Sequence, residues 1–375
     1  MTSRLASVSV RGLGGLPDVE LGLKPMTALI GPRGAGKSRL LAALAWLLTG
    51  DPALDGGARS PVDSKLSVTA ELETDDGGSG KRTITGRPGE ARRADLPPTR
   101  FLSARERISP LPEDAPLGWS DAAQAERMVE RIAEERLAGM KGEILLIEEP
   151  ELMLTPHQQR HLYNLLRRFV EQGNQVIYST RSPALLDATR YDEIVRLDRT
   201  TEGMRIRRAP DQLLTELQRV HLAAEFDHER NEMFFATSVV LVEGQTERQS
   251  FPTIFNRLGY DPDALGISIV ECGGKGNLIL IARVLAELRI PHLIVHDSDR
   301  GRPGQSANDY IKRNAGRAPV FQLHPDFEAV AGIRSHDHKV FNAVRRFAKM
   351  PEEKIPAIFH EIADTAADLA SGERQ

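Results

Sequence analysis

Residues 31–38 read GPRGAGKS, and this segment constrains the fold more than any other part of the chain. It matches the pattern G-x-x-x-x-G-K-S and lies between an apolar strand pattern at 26–30 and a run of helix formers at 38–48. Glycines let successive backbone N–H groups curl around a phosphate, and the start of the helix adds partial positive charge. The placement predicts a nucleotide phosphate loop in an α/β fold, with the following binding residues: Gly31, Arg33, Gly34, Gly36, Lys37 and Ser38.

Each polar side chain of this loop has an expected role. Lys37 is expected to reach the β- and γ-phosphates, and the Ser38 hydroxyl is expected to ligate Mg²⁺. A second motif, ILLIEEPE at 144–151, is an apolar strand that ends in two acids. Glu148 is expected to hold the Mg²⁺ through water, and Glu149 to orient or deprotonate the attacking water. Neighbouring strand residues point to opposite faces, so these two roles require the strand to end here.

The order and spacing of these motifs resemble those of the ABC-type ATPases of the SMC, RecF and OLD nuclease group. The run YSTRSP at 178–183 completes the resemblance, which implies ATP as a ligand. In that group the last motif normally carries a histidine that senses the γ-phosphate, whereas this chain has Arg181, a permanent cation. The signature loop should precede the acidic strand by about 25 residues, and LGWSD at 117–121 matches it poorly. The resemblance therefore implies ATP binding, and it does not imply fast hydrolysis.

Two further strand patterns in the second half also end in acids. They are VVLVEGQTE at 239–247 and LIVHDSDR at 293–300. Residues i and i+2 of a strand point to the same side, so Asp297 and Asp299 are expected to present paired carboxylates. In a parallel sheet Glu243 would lie at a neighbouring carboxyl-terminal strand end, where such folds place their sites. Oxygen ligands without histidine or cysteine favour Mg²⁺ or Mn²⁺ over zinc.

This glutamate-then-D-x-D pattern resembles a Toprim domain, and LVEGQTE resembles the version found in OLD-family nucleases. The runs NEMFFA at 231–236 and ECGGKGN at 271–277 strengthen the resemblance. It implies that two metal ions are bound by the first motif's glutamates, the D-x-D acids and a later acid, and that a basic residue assists catalysis. The implied ligands are Glu243, Glu247, Asp297, Asp299 and Glu328, and the candidate basic residue is Lys339.

The resemblance also implies what the whole chain does and with which partners. It implies a DNA endonuclease in which ATP binding regulates assembly or access, active in phage defence or DNA processing. The implied partners are DNA, further copies of the chain in a dimer or higher oligomer, and a partner protein of a defence system. The alternation of strands and helices predicts parallel-rich α/β domains. Together with it, the resemblance implies the following organisation: an ABC/SMC-like P-loop ATPase domain at 1–209, a helical linker at 210–235, a parallel-sheet βαβ Toprim domain at 236–335 and C-terminal helices at 336–375.

Composition excludes several other classes of protein. The single cysteine, Cys272, cannot form a disulfide framework or a thiolate zinc site. We expect a cytoplasmic protein without a membrane partner, because no apolar run reaches the ~18 residues of a membrane span and the first residues do not resemble a signal peptide. The net charge of −4 excludes a chain that is basic throughout.

Two alternative functions remain at this stage. One is an ATP-switched DNA-binding or scaffold protein without nuclease activity, which the poor signature loop favours and the full set of acids disfavours, since converging carboxylates repel one another without a metal. The other is a topoisomerase or primase, which shares the Toprim core. None of the five tyrosines lies in a separate domain of the kind a topoisomerase requires, and one cysteine cannot build a primase's zinc module.

Overall fold

Three β-sheets organise the part of the chain that the computed structural model describes. That part comprises residues 3–12, 18–50, 67–75, 79–86, 96–102, 141–200, 203–225, 228–298, 305–333 and 338–372. The chain divides into two units, the first formed by Met1–Leu186 and Asp192–Arg208 and the second by Asp187–Tyr191 and Ala209–Gln375. The predicted linker of 210–235 falls inside the second unit.

The first unit contains two of the sheets. Its elements, in chain order, are β1 (Ser3–Arg11), β2 (Val19–Gly22), β3 (Met26–Ile30), α1 (Lys37–Thr49), β4 (Ser67–Asp75), β5 (Ser79–Gly86), β6 (Thr99–Leu102), β7 (Ile144–Glu148), α2 (Pro156–Glu171), β8 (Gln175–Ser179), β9 (Ile194–Thr200) and β10 (Gly203–Arg208). One sheet has the order β2-β1-β4-β5 and is antiparallel throughout. The other has the order β10-β9-β3-β8-β7-β6, with only the β9–β10 pair antiparallel.

The six-stranded sheet decides where the motifs of the first unit meet. Strands β3, β8 and β7 are neighbours and run parallel, so their carboxyl ends lie at one edge. All five residues of β3 and of β8 are buried, which explains why apolar residues predominate in both strands. Helix α2 begins at Pro156 because Thr155 caps it in a reciprocal capping box with Gln158.

The second unit is built on a parallel four-stranded sheet. Its elements are α3 (Glu216–Glu225), β11 (Ser238–Val242), α4 (Gln245–Arg257), α5 (Pro262–Leu265), β12 (Ile267–Glu271), α6 (Lys275–Glu287), β13 (His292–Asp297), α7 (Gln305–Asn314), β14 (Val320–Leu323), α8 (Phe327–Ala331), α9 (Lys339–Lys349) and α10 (Ala357–Ser371). The strand order is β12-β11-β13-β14 and every pairing is parallel. The carboxyl ends of β11 and β13 are therefore adjacent.

A cluster of phenylalanines fixes the helices on one side of this sheet. Phe327 of α8 and Phe347 of α9 have ring centroids 6.2 Å apart, and both rings also contact Phe359 of α10 at 5.7 and 5.3 Å. Phe251 of α4 joins the cluster at 5.9 Å from Phe359. These four side chains are at most 1% exposed. The core thus holds the helices that carry the acids and the basic residue expected at the site.

Some elements differ from the sequence expectations in extent. The polar sequence of 210–230 predicts one helix, but only Glu216–Glu225 is α-helical and Arg230–Phe235 forms a separate 3₁₀ helix. The run DDGGSG at 75–80 predicts a hairpin loop, but β4 extends to Asp75 and β5 begins at Ser79, because the two strands pair in register up to those residues. Residues 121–139, whose composition predicts a helix, and the segment 117–121 lie outside the described residues. Among the described helices, none combines the length and apolarity that crossing a bilayer requires.

Candidate functional site

The phosphate-loop segment leads from β3 into α1 through backbone that favours glycine. Gly31, Gly34 and Gly36 have φ angles of 131°, 80° and 102°. A Cβ atom at Gly31 would lie 2.1 Å from the carbonyl oxygen of Leu197, so no other residue fits there. Arg33, Gly34 and Ser38 are exposed, as a contact with a soluble ligand requires.

Lys37 is buried at the start of α1, with its amine directed at the loop. Its Nζ donates hydrogen bonds to the carbonyl oxygens of Gly31 at 2.7 Å and Pro32 at 3.0 Å. Burial lowers the pKa of Lys37, and the neighbouring Arg181 lowers it further. Two cations therefore lie close together at this edge, where nucleotide phosphates would stabilise both.

The acidic strand β7 ends beside the loop that follows β8. Glu148 is the last residue of β7 and pairs in register with Ser179. Glu149 leaves the strand with a φ angle of 44°, and its N–H donates to the Ser179 carbonyl at 2.9 Å. The Glu149 carboxylate forms an ion pair with Arg181 Nε at 2.8 Å. The structure thus brings both acids and Arg181 together at the edge that carries the phosphate loop.

A further acid in this region had no role assigned from the sequence. The Glu151 carboxylate accepts hydrogen bonds from Thr180 Oγ1 at 3.0 Å and from the Arg181 N–H at 2.7 Å. Burial raises the pKa of Glu151, and these bonds lower it. Glu151 therefore fixes the backbone that positions Arg181. Its place in the run EEPE was the only sequence signal for this role.

The second unit places two predicted acids in contact. Glu243 follows β11 and Asp297 ends β13, the adjacent parallel strand. The Asp297 N–H donates to Glu243 Oε2 at 3.2 Å, and Asp297 Oδ1 accepts from the Phe327 N–H at 2.9 Å. Asp297 is thereby held at two points: its backbone by Glu243 at the end of β11 and its carboxylate by the start of α8.

Two more predicted acids, Glu247 and Glu328, interact electrostatically with this pair. Glu247 lies in the first turn of α4, is 6% exposed and has a pKa raised to about 7, first by burial and then by Glu243 and Glu328. The pKa of Asp297 is raised to about 8 by burial, then by Glu247 and Glu243 and also by Glu328. Burial is the first cause of both shifts and the neighbouring carboxylates add to it, so Glu243, Glu247, Asp297 and Glu328 lie near enough to one another to interact electrostatically.

The predicted basic residue also lies at this region. Lys339 begins α9, and its Nζ forms an ion pair with Glu328 Oε1 at 2.8 Å. Hydrogen bonding to Glu328 raises the pKa of Lys339. Because Glu328 is two residues after the N-cap of α8, the contact ties α8 to α9.

The chemistry of the donor set fits a divalent cation. The pKa values of Glu247 and Asp297 are raised first by burial and then by neighbouring acids, so a hard cation bound beside them would stabilise their charged forms. All four acids carry the oxygen ligands that Mg²⁺ and Mn²⁺ accept. Within the described residues, however, no three His, Cys, Asp or Glu side chains are grouped closely enough to hold a metal ion. Glu328 is paired with Lys339, and Asp299, the fifth predicted ligand, lies outside the described residues. Strand β13 itself ends at Asp297.

A hydrogen-bonded chain that the sequence did not reveal fixes the backbone after Asp297. Asn308 Nδ2 donates to the Ser298 carbonyl at 2.7 Å, and Lys275 Nζ donates to Asn308 Oδ1 at 2.8 Å. The Ser298 hydroxyl contacts His324 Nδ1 at 2.6 Å. In the sequence, Lys275 stands out only as part of the run ECGGKGN, and nothing marks Asn308, because its partner lies ten residues away.

The raised pKa values predict how pH changes stability. The folded-state pKa values of Asp297 and Glu247 lie above their ordinary values of 3.8 and 4.5, so the folded protein retains protons that the unfolded chain releases. Stability without divalent metal should therefore fall as pH rises from about 4 to 8. We expect thermal unfolding in EDTA to occur about 5 °C or more lower at pH 8 than at pH 5.5. Mn²⁺ should raise the unfolding midpoint more at pH 8 than at pH 5.5, and Asp297→Asn should weaken the dependence of the midpoint on pH. Equal midpoints at both pH values in EDTA would contradict this arrangement of acids.

Family models of known proteins match two parts of the chain. The family model described as "Overcoming lysogenization defect protein-like, TOPRIM domain" matches residues 234–299, which contain β11, β13 and the Glu243–Asp297 contact. This part of the chain is an OLD-like TOPRIM domain. A second model, described as "AAA domain, putative AbiEii toxin, Type IV TA system", matches residues 132–187, which contain the acidic strand and Arg181. The predicted family resemblance and the predicted fold class, an ABC-type ATPase domain followed by a Toprim domain, are confirmed.

Similar proteins carry the same family name. An OLD nuclease of Thermus scotoductus is 36% identical over 222 residues, which are 53% of this chain and 42% of that protein. An Old nuclease of Escherichia phage P2 is 27% identical over 162 residues, or 42% of this chain and 28% of that protein. The solved C-terminal region of the Xanthomonas campestris pv. campestris OLD protein matches 38% of this chain and 97% of its own length, at 20% identity and a TM-score of 0.31. The match thus spans less than half the length of each of these two curated relatives.

Proposed function

We propose that this chain is an ATP-binding, divalent-metal-dependent DNA endonuclease that cleaves phosphodiester bonds in its OLD-like TOPRIM domain. The observation that carries the proposal is the contact between Glu243 and Asp297 at adjacent strand ends, with Glu247 and Glu328 close enough to raise the pKa of Asp297. The two relatives named as nucleases support this function.

The proposed roles follow from where each side chain lies. Glu243, Glu247, Asp297, Asp299 and Glu328 would hold two ions, Mg²⁺ or Mn²⁺. When bound, the ions supply a water of lowered pKa and stabilise the leaving oxygen of an in-line displacement. The Phe327 N–H and the Ser298–Asn308 bond keep the Asp297 region rigid. Lys339 would neutralise negative charge at the cleaved phosphate, which requires its Nζ to leave Glu328.

ATP binding in the first unit would regulate assembly or access to DNA. In the proposed arrangement Gly31, Gly34, Gly36 and Arg33 surround the phosphates, and Lys37 and Arg181 neutralise them, while Ser38 and Glu148 hold Mg²⁺. Glu149 is the candidate to position the attacking water. Its ion pair with Arg181 would have to open for that role. Arg181 would then be free to contact the γ-phosphate, so ATP binding would release Glu149 to position the water.

The wider assignments belong to the same proposal. ATP binding is assigned to 1–209 and cleavage to 236–335, with 210–235 as the linker and 336–375 as C-terminal helices. We propose a cytoplasmic enzyme that acts in phage defence or DNA processing, as a homo-oligomer of two or more copies and together with a partner protein.

Supercoiled plasmid incubated with Mg²⁺ or Mn²⁺ tests the proposal, with and without ATP and with phosphate release measured in parallel. We expect nicked and linear DNA only when a divalent ion is present, an effect of ATP on the rate, and slow or undetectable phosphate release. A protein that binds DNA and leaves it intact with every divalent ion would instead be a nucleotide-switched DNA-binding or scaffold protein.

A further inference from the structure

Helix α9 carries a concentration of positive charge, of which the proposed active site uses only Lys339. Its sequence, KVFNAVRRFAK, contains four cations and no acid, although the whole chain has a net charge of −4. Ala343 and Phe347 face the core, while Arg345, Arg346 and Lys349 are exposed. The helix therefore has one apolar face and one cationic face.

The cationic face lines a pocket together with the turn that follows α9. The pocket has a volume of about 660 Å³, and its lining residues are Asn342, Arg345, Arg346, Lys349, Met350, Pro351 and Lys354. No acid belongs to this lining. Within the described part of the chain, Arg345, Lys349 and Lys354 form no ion pair. Glu352 and Glu353 follow Pro351 in the turn but do not line the pocket. Cations that repel one another around a concave surface whose lining contains no acid favour an anionic ligand.

The position of the pocket on α9 limits which anion it suits. Lys339, Asn342, Arg346 and Lys349 recur at spacings of three or four residues, so they follow one another along one face of the helix. This row begins at the Lys339–Glu328 ion pair of the candidate active site. A helix rises about 1.5 Å per residue, so Arg345 and Lys349 lie roughly 9 and 15 Å along the axis from Lys339.

We propose that the α9 pocket binds the phosphodiester backbone of DNA and anchors the substrate about three to four nucleotides from the scissile phosphate. One strand of DNA advances about 3.4 Å per nucleotide, so a row of cations roughly 9 to 15 Å long matches several successive phosphates of one strand. The proposal rests on the nuclease function in taking DNA as the ligand. The cations attract phosphates of any sequence, so the contact fixes the position of the backbone and leaves the base sequence unread.

The test is the binding of a fluorescein-labelled DNA duplex, followed by anisotropy in EDTA so that no cleavage intervenes. The variant is Arg345→Ala with Lys349→Ala, because both side chains are exposed. Lys312→Ala with Arg313→Ala is the matched control, since it removes two exposed cations from the last turn of α7. We expect the α9 variant to lose about tenfold in affinity, and its slope of log K against log salt to become shallower by about 1.8, the value for two lost phosphate contacts.

Three outcomes would overturn the proposal. The first is equal loss of affinity in the α9 variant and the control, and the second is wild-type affinity in the α9 variant. The third is loss of sedimentation with phosphatidylserine vesicles while DNA binding persists, which would assign the pocket to a lipid surface. Unchanged thermal unfolding of the variant shows that the fold is intact. Because binding is measured without metal, the pocket is tested whether or not the chain cleaves DNA.

Discussion

Asp297→Asn should abolish metal-dependent cleavage of plasmid DNA, with a loss on the order of 10³-fold or more. The amide keeps the size of the side chain and can still accept the hydrogen bond from the Phe327 N–H. It removes the negative charge that Glu247, Glu243 and Glu328 repel and that would bind the metal. The effect should be large because ligands that share a metal centre act as a unit. Initial rates of nicking over a range of Mn²⁺ concentrations measure it.

The same substitution has a second readout that separates chemistry from misfolding. Removing one of several mutually repelling carboxylates should raise the unfolding temperature at pH 8 in EDTA. Asp309→Asn on α7 is the matched control, because Asp309 is exposed and lies outside the acidic cluster. Wild-type cleavage in the Asp297 variant would remove this residue from the active site, and a lowered unfolding temperature would show that its carboxylate is not repelled by its neighbours.

Lys37→Ala should weaken ATP binding about 100-fold. The Lys37 amine is buried beside the phosphate loop, and its bonds to the Gly31 and Pro32 carbonyls hold it where a β- or γ-phosphate would lie. A hydrogen bond to a charged group contributes about 1.5–3 kcal/mol, and each 1.4 kcal/mol is a tenfold change in affinity. Titration with a fluorescent ATP analogue measures the loss.

Lys141→Ala is the control for this prediction. Lys141 is an exposed cation of the same unit, located before β7. The control should bind ATP as the wild type does. Unchanged affinity in Lys37→Ala would show that residues 31–38 do not bind nucleotide, whatever their sequence suggests.

The sequence predicted the elements whose signals are local. The sequence of 156–171 predicts a helix, because Thr155 and Pro156 mark its start and its apolar side chains recur at helical spacing. Helix α2 has these bounds. The apolar runs that end at Glu243 and Asp297 are buried parallel strands, so their ends could be assigned without knowledge of the partners. The predicted helix near 210–230 was too long because its polar sequence carries little information on where it ends.

Contacts between distant residues could not be predicted in the same way. Glu151 bonds to Thr180 and the Arg181 N–H across 30 residues, and no periodic pattern encodes such a contact. The pairing of Lys339 with Glu328 depends on how α8 and α9 pack through Phe327 and Phe347. Because such packing depends on the whole core, the sequence pattern could indicate candidate residues but could not predict which side chains pair with them.

The most direct test of the proposed metal-dependent chemistry is an anomalous difference map from crystals of the protein soaked in MnCl₂. The Glu243–Asp297 contact beside the buried Glu247 predicts strong manganese peaks within ligand distance of the Asp297 carboxylate, at the carboxyl ends of β11 and β13, with the bound ion drawing these carboxylates together. A map with no peak there, from crystals in which these side chains are ordered, would contradict a divalent-metal site at this edge of the sheet.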